Sequence, residues 1–245
     1  MLPLVFVPGL AFGSFLGVVA ARVPLRRSIV RPGSACMSCE APIRWYDNIP
    51  VVSYVLLRGR CRRCGVRIPP RDVAIELSTA LLLMGCALAF GITARAAAAG
   101  IACAALVVVT ATDLERRIVP NLVVLPAAAV VLALQTATHP SLQWVLGAVG
   151  AAGFLFAAAL AYPGGMGMGD VKLALLIGAL LGRTTPVGLM LGLLFAFVPS
   201  AVLLARHGMR ARKMKIPFGP FLAAGAVVAL FAGHWMLHAY VGALS

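Results

Sequence analysis

Acidic side chains are scarce in this chain: only seven of its 245 residues are Asp or Glu, and charged residues of both signs make up 11%. An ordinary soluble domain carries about 25% charged residues. Hydrophobic residues meanwhile reach 62%, too much apolar side chain for the interior of a soluble protein of this length. The solvent around such a chain must itself be apolar. The lack of polar, low-hydrophobicity sequence also excludes a disordered chain. The composition reads as an integral membrane protein.

What charge there is has one sign, a net +14. A nucleic-acid partner would need those cations on one surface. Instead, nineteen of the 21 Lys and Arg fall in four places, at 22–71, 116–117, Lys172 and 206–215, leaving only Arg95 and Arg183. Between them lie apolar segments at 2–21, 73–92, 96–112, 120–138, 143–162, 171–182, 186–205 and 217–240. Most are near the ~20 residues that cross a ~30 Å hydrocarbon core. With about eight crossings all four basic clusters face one side. Cytoplasmic loops carry the excess of Lys and Arg, so that side is expected to be the cytoplasm, with both termini outside. The opening run is not expected to be a cleaved signal peptide, because its positive flank follows it rather than precedes it. The charge is therefore topological first and an attraction to membrane lipid second; no nucleic-acid partner is expected. The expected fold is an all-α polytopic membrane protein of about eight transmembrane helices. It divides into a first helix (1–21), a cytoplasmic loop domain (22–72) and a seven-helix core (73–245).

The loop domain holds Cys36-Met37-Ser38-Cys39 and Cys61-Arg62-Arg63-Cys64, two CxxC knuckles separated by 21 residues. Four thiolates so spaced suit a structural Zn²⁺. Two disulfides are the alternative, disfavoured in the reducing cytoplasm. A segment of ~50 residues has little core and needs a staple. Cys86 and Cys103 fall within apolar segments and read as small packing residues.

The seven acids are Glu40, Asp47, Asp72, Glu76, Asp113, Glu115 and Asp170. Charges at membrane depth are expensive and by default mark function. Asp113 ends the third apolar segment. Asp170 precedes the sixth, after Gly164, Gly165, Gly167 and Gly169. From Val171 to Gly182 that segment has 12 residues, about 18 Å at ~1.5 Å per residue, so Asp170 is expected below the headgroups. Irregular glycine-rich backbone at that depth is tolerated only in protein or beside a wet cavity. Two carboxylates meeting in such a pocket share a proton. One can then activate a water while its protonated partner polarises a carbonyl, the chemistry of an aspartyl protease. The competing reading makes Asp113 an interfacial partner of Arg116 and Arg117, and Asp170 a helix cap.

Gly167-Met168-Gly169-Asp170-Val171-Lys172-Leu173 resembles the GxGD-x-K-L motif of the type IV prepilin peptidases, bacterial membrane aspartyl proteases. Further matches run along the chain: Gly13-Ser14-Phe15-Leu16, both CxxC knuckles, Asp47 through Tyr54, Leu57 through Cys61, and Glu76-Leu77. Asp113, Ile118-Val119-Pro120-Asn121 and Pro217-Phe218-Gly219-Pro220-Phe221 complete the set. The resemblance implies an enzyme of the bacterial inner membrane that removes the basic leader from prepilins or pseudopilins at the cytoplasmic face. It implies Asp113 and Asp170 as the catalytic pair, and Cys36, Cys39, Cys61 and Cys64 as zinc ligands. It also implies N-methylation of the new amino terminus with S-adenosylmethionine as cofactor, with Glu76 and Asp47 as candidate partners of the positive sulfonium. Gly167, Gly169 and Lys172 are candidates for the substrate pocket. Two positions depart from the family pattern. Gly17 stands where the family carries Asn, and the Arg-Tyr-Pro usual before Glu76 is missing. Outside the resemblance, an ion-coupled transporter using Asp113 and Asp170 is the rival class, although the halves show no inverted symmetry.

Overall fold

A computed structural model of the chain describes residues 2–31, 33–36, 38–162, 166–208 and 216–244. Gly164 and Gly165 of the glycine run lie outside the described residues, as do Arg210, Arg212, Lys213 and Lys215 of the last basic cluster. The chain divides into two compact units between Leu88 and Ala89.

The first unit opens with helix α1 (Leu2–Arg22) and closes near the end of α3 (Pro70–Phe90), whose last two residues belong to the second unit. Between them the loop carries one short helix, α2 (Val52–Leu56), and two isolated antiparallel bridges, Ala35 with Pro42 and Arg60 with Arg67. Helices α1 and α3 approach closely because α1 carries glycine every fourth residue. A Cβ on Gly9 would stand 2.9 Å from Ala80 Cα, and one on Gly13 would stand 2.6 Å from Glu76 Cα. Stripes of small residues at this spacing let backbones touch in lipid, where van der Waals packing replaces the hydrophobic drive. At Gly17 the pattern opens: the nearest atom to a Cβ there is Asp72 Oδ1 at 4.0 Å.

The second unit consists of α4 (Ala94–Arg116), α5 (Asn121–Thr138), α6 (Leu142–Ala161), α7 (Met168–Leu181), α8 (Thr185–His207) and α9 (Gly219–Leu244). Helix α4 is the most buried candidate span, and its run of Ala, Gly and Cys lets α5, α7 and α9 pack against it. Helices α6 and α7 cross at Gly147 and Gly178; a Cβ on Gly178 would sit 2.1 Å from Gly147 O. Large apolar side chains face outward all the same: Leu146 is 66% exposed and Leu160 65%. Such exposure fits lipid as the solvent. Cys86 and Cys103 are each 1% exposed, as small packing residues should be.

The described residues hold seven candidate membrane spans, and the sixth is the 39-residue run Met168–Arg206. That run is two of the expected segments joined through a 3₁₀ turn at Gly182–Thr184, where Gly182 takes φ +55 and ψ −114. All eight long helices fall where the apolar segments predict them. Boundaries shift by a few residues: α3 begins at Pro70, α4 runs on to Arg116 and α7 begins at Met168, so Asp113 and Asp170 both sit inside helical turns rather than beside them.

Candidate functional site

Asp113 lies in the last turn of α4 and is 5% exposed. Buried carboxylates require donors, and the principal one comes from far along the chain. The Gly219 N–H, at the start of α9, donates to Asp113 Oδ2 at 2.9 Å. A Cβ on Gly219 would stand 2.9 Å from the same oxygen, so any larger residue must displace the carboxylate. Arg117 ends α4 in the left-handed conformation, its N–H donating to the Asp113 carbonyl at 2.9 Å.

Asp170 is the third residue of α7. Its Oδ2 accepts the Gly167 N–H at 3.3 Å, while its own N–H donates to the Gly167 carbonyl at 3.0 Å. The carboxylate thus caps its own helix, as one sequence reading expects, and it also lies within electrostatic reach of Asp113. The two readings do not exclude one another. Gly169 lets this first turn press against the segment that follows α4: a Cβ there would meet Val119 Cβ at 2.8 Å. Lys172 points away from Asp170 and donates through Nζ to Asn121 Oδ1 at 2.9 Å, tying α7 to the start of α5. Of the three pocket candidates, Gly167 alone bonds the Asp170 carboxylate; Gly169 packs on Val119 and Lys172 bonds Asn121. The donor Gly219 is quoted from sequence only as part of a matched motif and not as a site residue. Its signal is the Pro217–Phe221 motif, an apolar, proline-flanked glycine with no chemistry of its own.

In the first unit the four knuckle thiols converge. All four Sγ atoms lie within 4.8 Å of one another, and Cys36 Sγ is 3.8 Å from Cys64 Sγ. Sulfurs at ~2.3 Å from a tetrahedral zinc are separated by about 3.8 Å, so the donor set fits the metal. The two knuckles repeat one backbone pattern. Cys36 N–H donates to Ala41 O as Cys61 N–H does to Val66 O, and Glu40 N–H donates to Cys36 O as Gly65 N–H does to Cys61 O. Gly65 takes φ +70 and Glu40 takes φ +54, so Glu40 occupies a left-handed position that its counterpart fills with glycine. The backbone N–H groups of Cys39 and Ser38 pull the Cys36 thiol down to about 6. Those of Cys64 and Arg63 lower Cys61 likewise. The Val66 N–H acts in the same sense on Cys64, but desolvation and the neighbouring thiols push it up to about 11. A cluster of four thiols cannot gather four negative charges without a cation.

Beside the cysteines lies a cavity of about 790 Å³ bordered by Cys36, Arg44, Asp47, Arg62, Arg71 and Asp72, among others. Asp47 is gripped by Arg62, whose Nη2 lies 2.7 Å from Oδ1 and whose Nε lies 2.9 Å from Oδ2. That guanidinium holds the Asp47 carboxyl below its ordinary range. Glu76 does not border the cavity. It is 8% exposed, accepts the Val51 N–H at 2.8 Å and bonds the Ser14 hydroxyl. Val51 has φ +60 and ψ −49, and Val52 N–H reaches back to Pro50 O at 2.6 Å. This is a γ-turn of the rare positive-φ form, strained for a β-branched residue, and the buried carboxylate of Glu76 holds it in place.

The family described as "Bacterial Peptidase A24 N-terminal domain" matches residues 7–90, and the "Type IV leader peptidase family" matches residues 100–205. A prepilin leader peptidase/N-methyltransferase of Bacillus subtilis is 33% identical, over 98% of this chain and 98% of its own. The protein of that name from Myxococcus xanthus is 39% identical over 80% of this chain and 60% of its own. One from Burkholderia pseudomallei is 34% identical over 93% of this chain and 84% of its own. No solved structure matches. With likeness this extensive, running through both the cysteine-bearing unit and the one that holds the two aspartates, the chain belongs to the type IV leader peptidase family.

Proposed function

We propose that this chain is an aspartyl endopeptidase that removes the basic leader from prepilins or pseudopilins, using Asp113 and Asp170. What supports the proposal is that two donor-held carboxylates, one at the end of α4 and one in the first turn of α7, stand within electrostatic reach of each other. In this reading one carboxylate takes a proton from a water molecule, which attacks the scissile carbonyl. Its protonated partner donates to the carbonyl oxygen as negative charge develops there. The proton taken from water then passes to the departing amine. The Gly219 and Gly167 N–H groups keep each carboxylate aimed. By the charge rule, both aspartates and the cysteine loop face the cytoplasm of the bacterial inner membrane, with both termini outside.

Zinc is proposed as a structural ion held by Cys36, Cys39, Cys61 and Cys64, with no part in bond cleavage. The proposal extends to methylation of the new amino terminus. The 790 Å³ cavity is within the ~300–1,000 Å³ of small-molecule sites, so S-adenosylmethionine fits by volume. When bound, that cofactor supplies the methyl group that the free amine accepts. Asp47, on the cavity wall, is the residue proposed to face the sulfonium, and Glu76 is proposed to act through the Val51 turn. The test is to incubate the chain, in membranes, with a prepilin and weigh the product with and without S-adenosylmethionine. The expected product has lost its leader and gains one methyl group only when the cofactor is present. An intact prepilin overturns the peptidase reading; a cleaved, never-methylated one overturns the second activity alone.

A further inference from the structure

Arg95 and Arg183 are the two cations that escape the basic clusters, and in the second unit they border one cavity of about 250 Å³, together with His139 and His234. None of the seven acids borders it. Arg95 lies over the Phe90 ring at 4.7 Å, a contact that satisfies a cation's face without cancelling its charge. Two guanidiniums, always protonated, thus converge with no carboxylate between them.

This cavity does not end at the polar layer. Arg183 and Gln143 also border a second cavity, of about 710 Å³, whose walls are Leu146, Gly150 and Phe154 of α6 and Leu189 and Leu193 of α8. From Leu142 to Phe154 this groove follows α6 for about 18 Å at ~1.5 Å per residue. That length decides between occupants. A membrane-spanning peptide helix would need ~30 Å, whereas one leaflet's acyl chains occupy half of it, about 15 Å. Its mouth is cationic, its walls are apolar, and Phe154 at 57% exposed leaves its flank open to lipid.

We infer that this paired cavity binds an anionic phospholipid, its phosphate between Arg95 and Arg183 and an acyl chain in the α6–α8 groove. The phosphate-bearing headgroup sits where the bundle has positive charge without acid, and the chain enters where a side-chain-free strip at Gly150 leaves open space. The site is separate from the aspartates and needs neither the peptidase nor the methyltransferase reading.

The test is native mass spectrometry of the full chain in neutral detergent, titrated with phosphatidylglycerol, phosphatidylcholine, or inorganic phosphate alone. One phosphatidylglycerol is expected to bind at least tenfold more tightly than phosphatidylcholine. Arg95→Gln and Arg183→Gln should each weaken that preference about fivefold, as one cation near an anionic lipid contributes. Gly150→Leu, placed where a Cβ meets nothing within 4 Å, should weaken both lipids equally by filling the groove. Should either arginine variant fail to fold, Gly150→Leu with both cations intact still decides. Equal binding of the two lipids, unchanged lipid binding in Gly150→Leu, or inorganic phosphate binding as tightly as phosphatidylglycerol would each overturn the site. So would dimerisation that Gly150→Leu abolishes, since the groove would then hold a second copy of the chain.

Discussion

Gly219 and Asp113 are 106 residues apart in sequence, yet the N–H of one donates to the carboxylate of the other at 2.9 Å. The bond joins the start of α9 to the end of α4 and fixes one rotamer of a buried acid. A methyl group at position 219 would fall 2.9 Å from Asp113 Oδ2, so Gly219→Ala must turn the carboxylate. Misplacing a reacting group by ~1 Å costs about 10²-fold. Prepilin cleavage by Gly219→Ala should fall by about that factor while the protein still purifies as a folded chain. A normal rate would show that the carboxylate's aim does not matter.

The carboxylates themselves make the next prediction. Asp113→Asn and Asp170→Asn keep size and hydrogen-bonding capacity but remove the proton-transfer group, a loss worth about 10²–10⁴-fold. Each should lower leader removal to that extent without altering zinc content. Because the groups act as a pair, the rate should show a bell-shaped pH profile whose limbs belong to the pair. Leader removal measured on gels decides it, and near-normal cleavage by either variant removes that residue from the mechanism.

Metal content tests the cysteine cluster. Purified chain should carry about one zinc per molecule. Four thiols must shed their protons to bind it, so zinc uptake by chelator-treated protein should release protons and weaken as pH falls. Elemental analysis of Cys36→Ser/Cys39→Ser should find the zinc gone, with the loop more readily cut by protease. Protein that is metal-free and disulfide-linked would contradict the assignment.

Helix packing in the first unit depends on a vacancy of side chain. At Gly13 a Cβ would stand 2.6 Å from the Glu76 backbone, and overpacking of this kind costs about 1–3 kcal/mol. Gly13→Leu should lower the melting temperature of the detergent-solubilised protein by several degrees. Gly153→Leu, where nothing lies within 4 Å, should leave it unchanged, and equal melting temperatures for the two would refute the tight crossing.

Sequence carried most of the fold because lipid reduces it to a reading of hydropathy: a long apolar run has nowhere to go but into a helix. The eight segments and the two knuckles follow from composition and spacing alone. Asp113 and Asp170 stand out for the same reason, as acids where acids are costly. The supports do not. Gly219 acts through its backbone N–H, which every residue but proline carries, and its missing Cβ marks it only as one glycine among 25. Glu76 reads from sequence as a candidate cofactor partner. Its bond to Val51 depends on a turn whose positive φ no local rule predicts for valine. Lys172 points away from Asp170, as helical spacing requires, but its partner Asn121 is 51 residues distant and is found only once α5 and α7 are packed.

Helix α7 has 14 residues, about 21 Å at ~1.5 Å per residue, beside α8 with 23, about 34 Å on the same rise. A hydrocarbon layer ~30 Å thick matches the longer helix and overshoots the shorter by roughly 9 Å. Nine of the 14 residues of α7 are buried against neighbouring helices, so the deficit at its first turn opens inside the bundle and not onto lipid tails. Backbone that stops short at membrane depth is tolerated where protein or water surrounds it. A reaction that consumes water at Asp170 would then draw it along that recess, without any water crossing lipid.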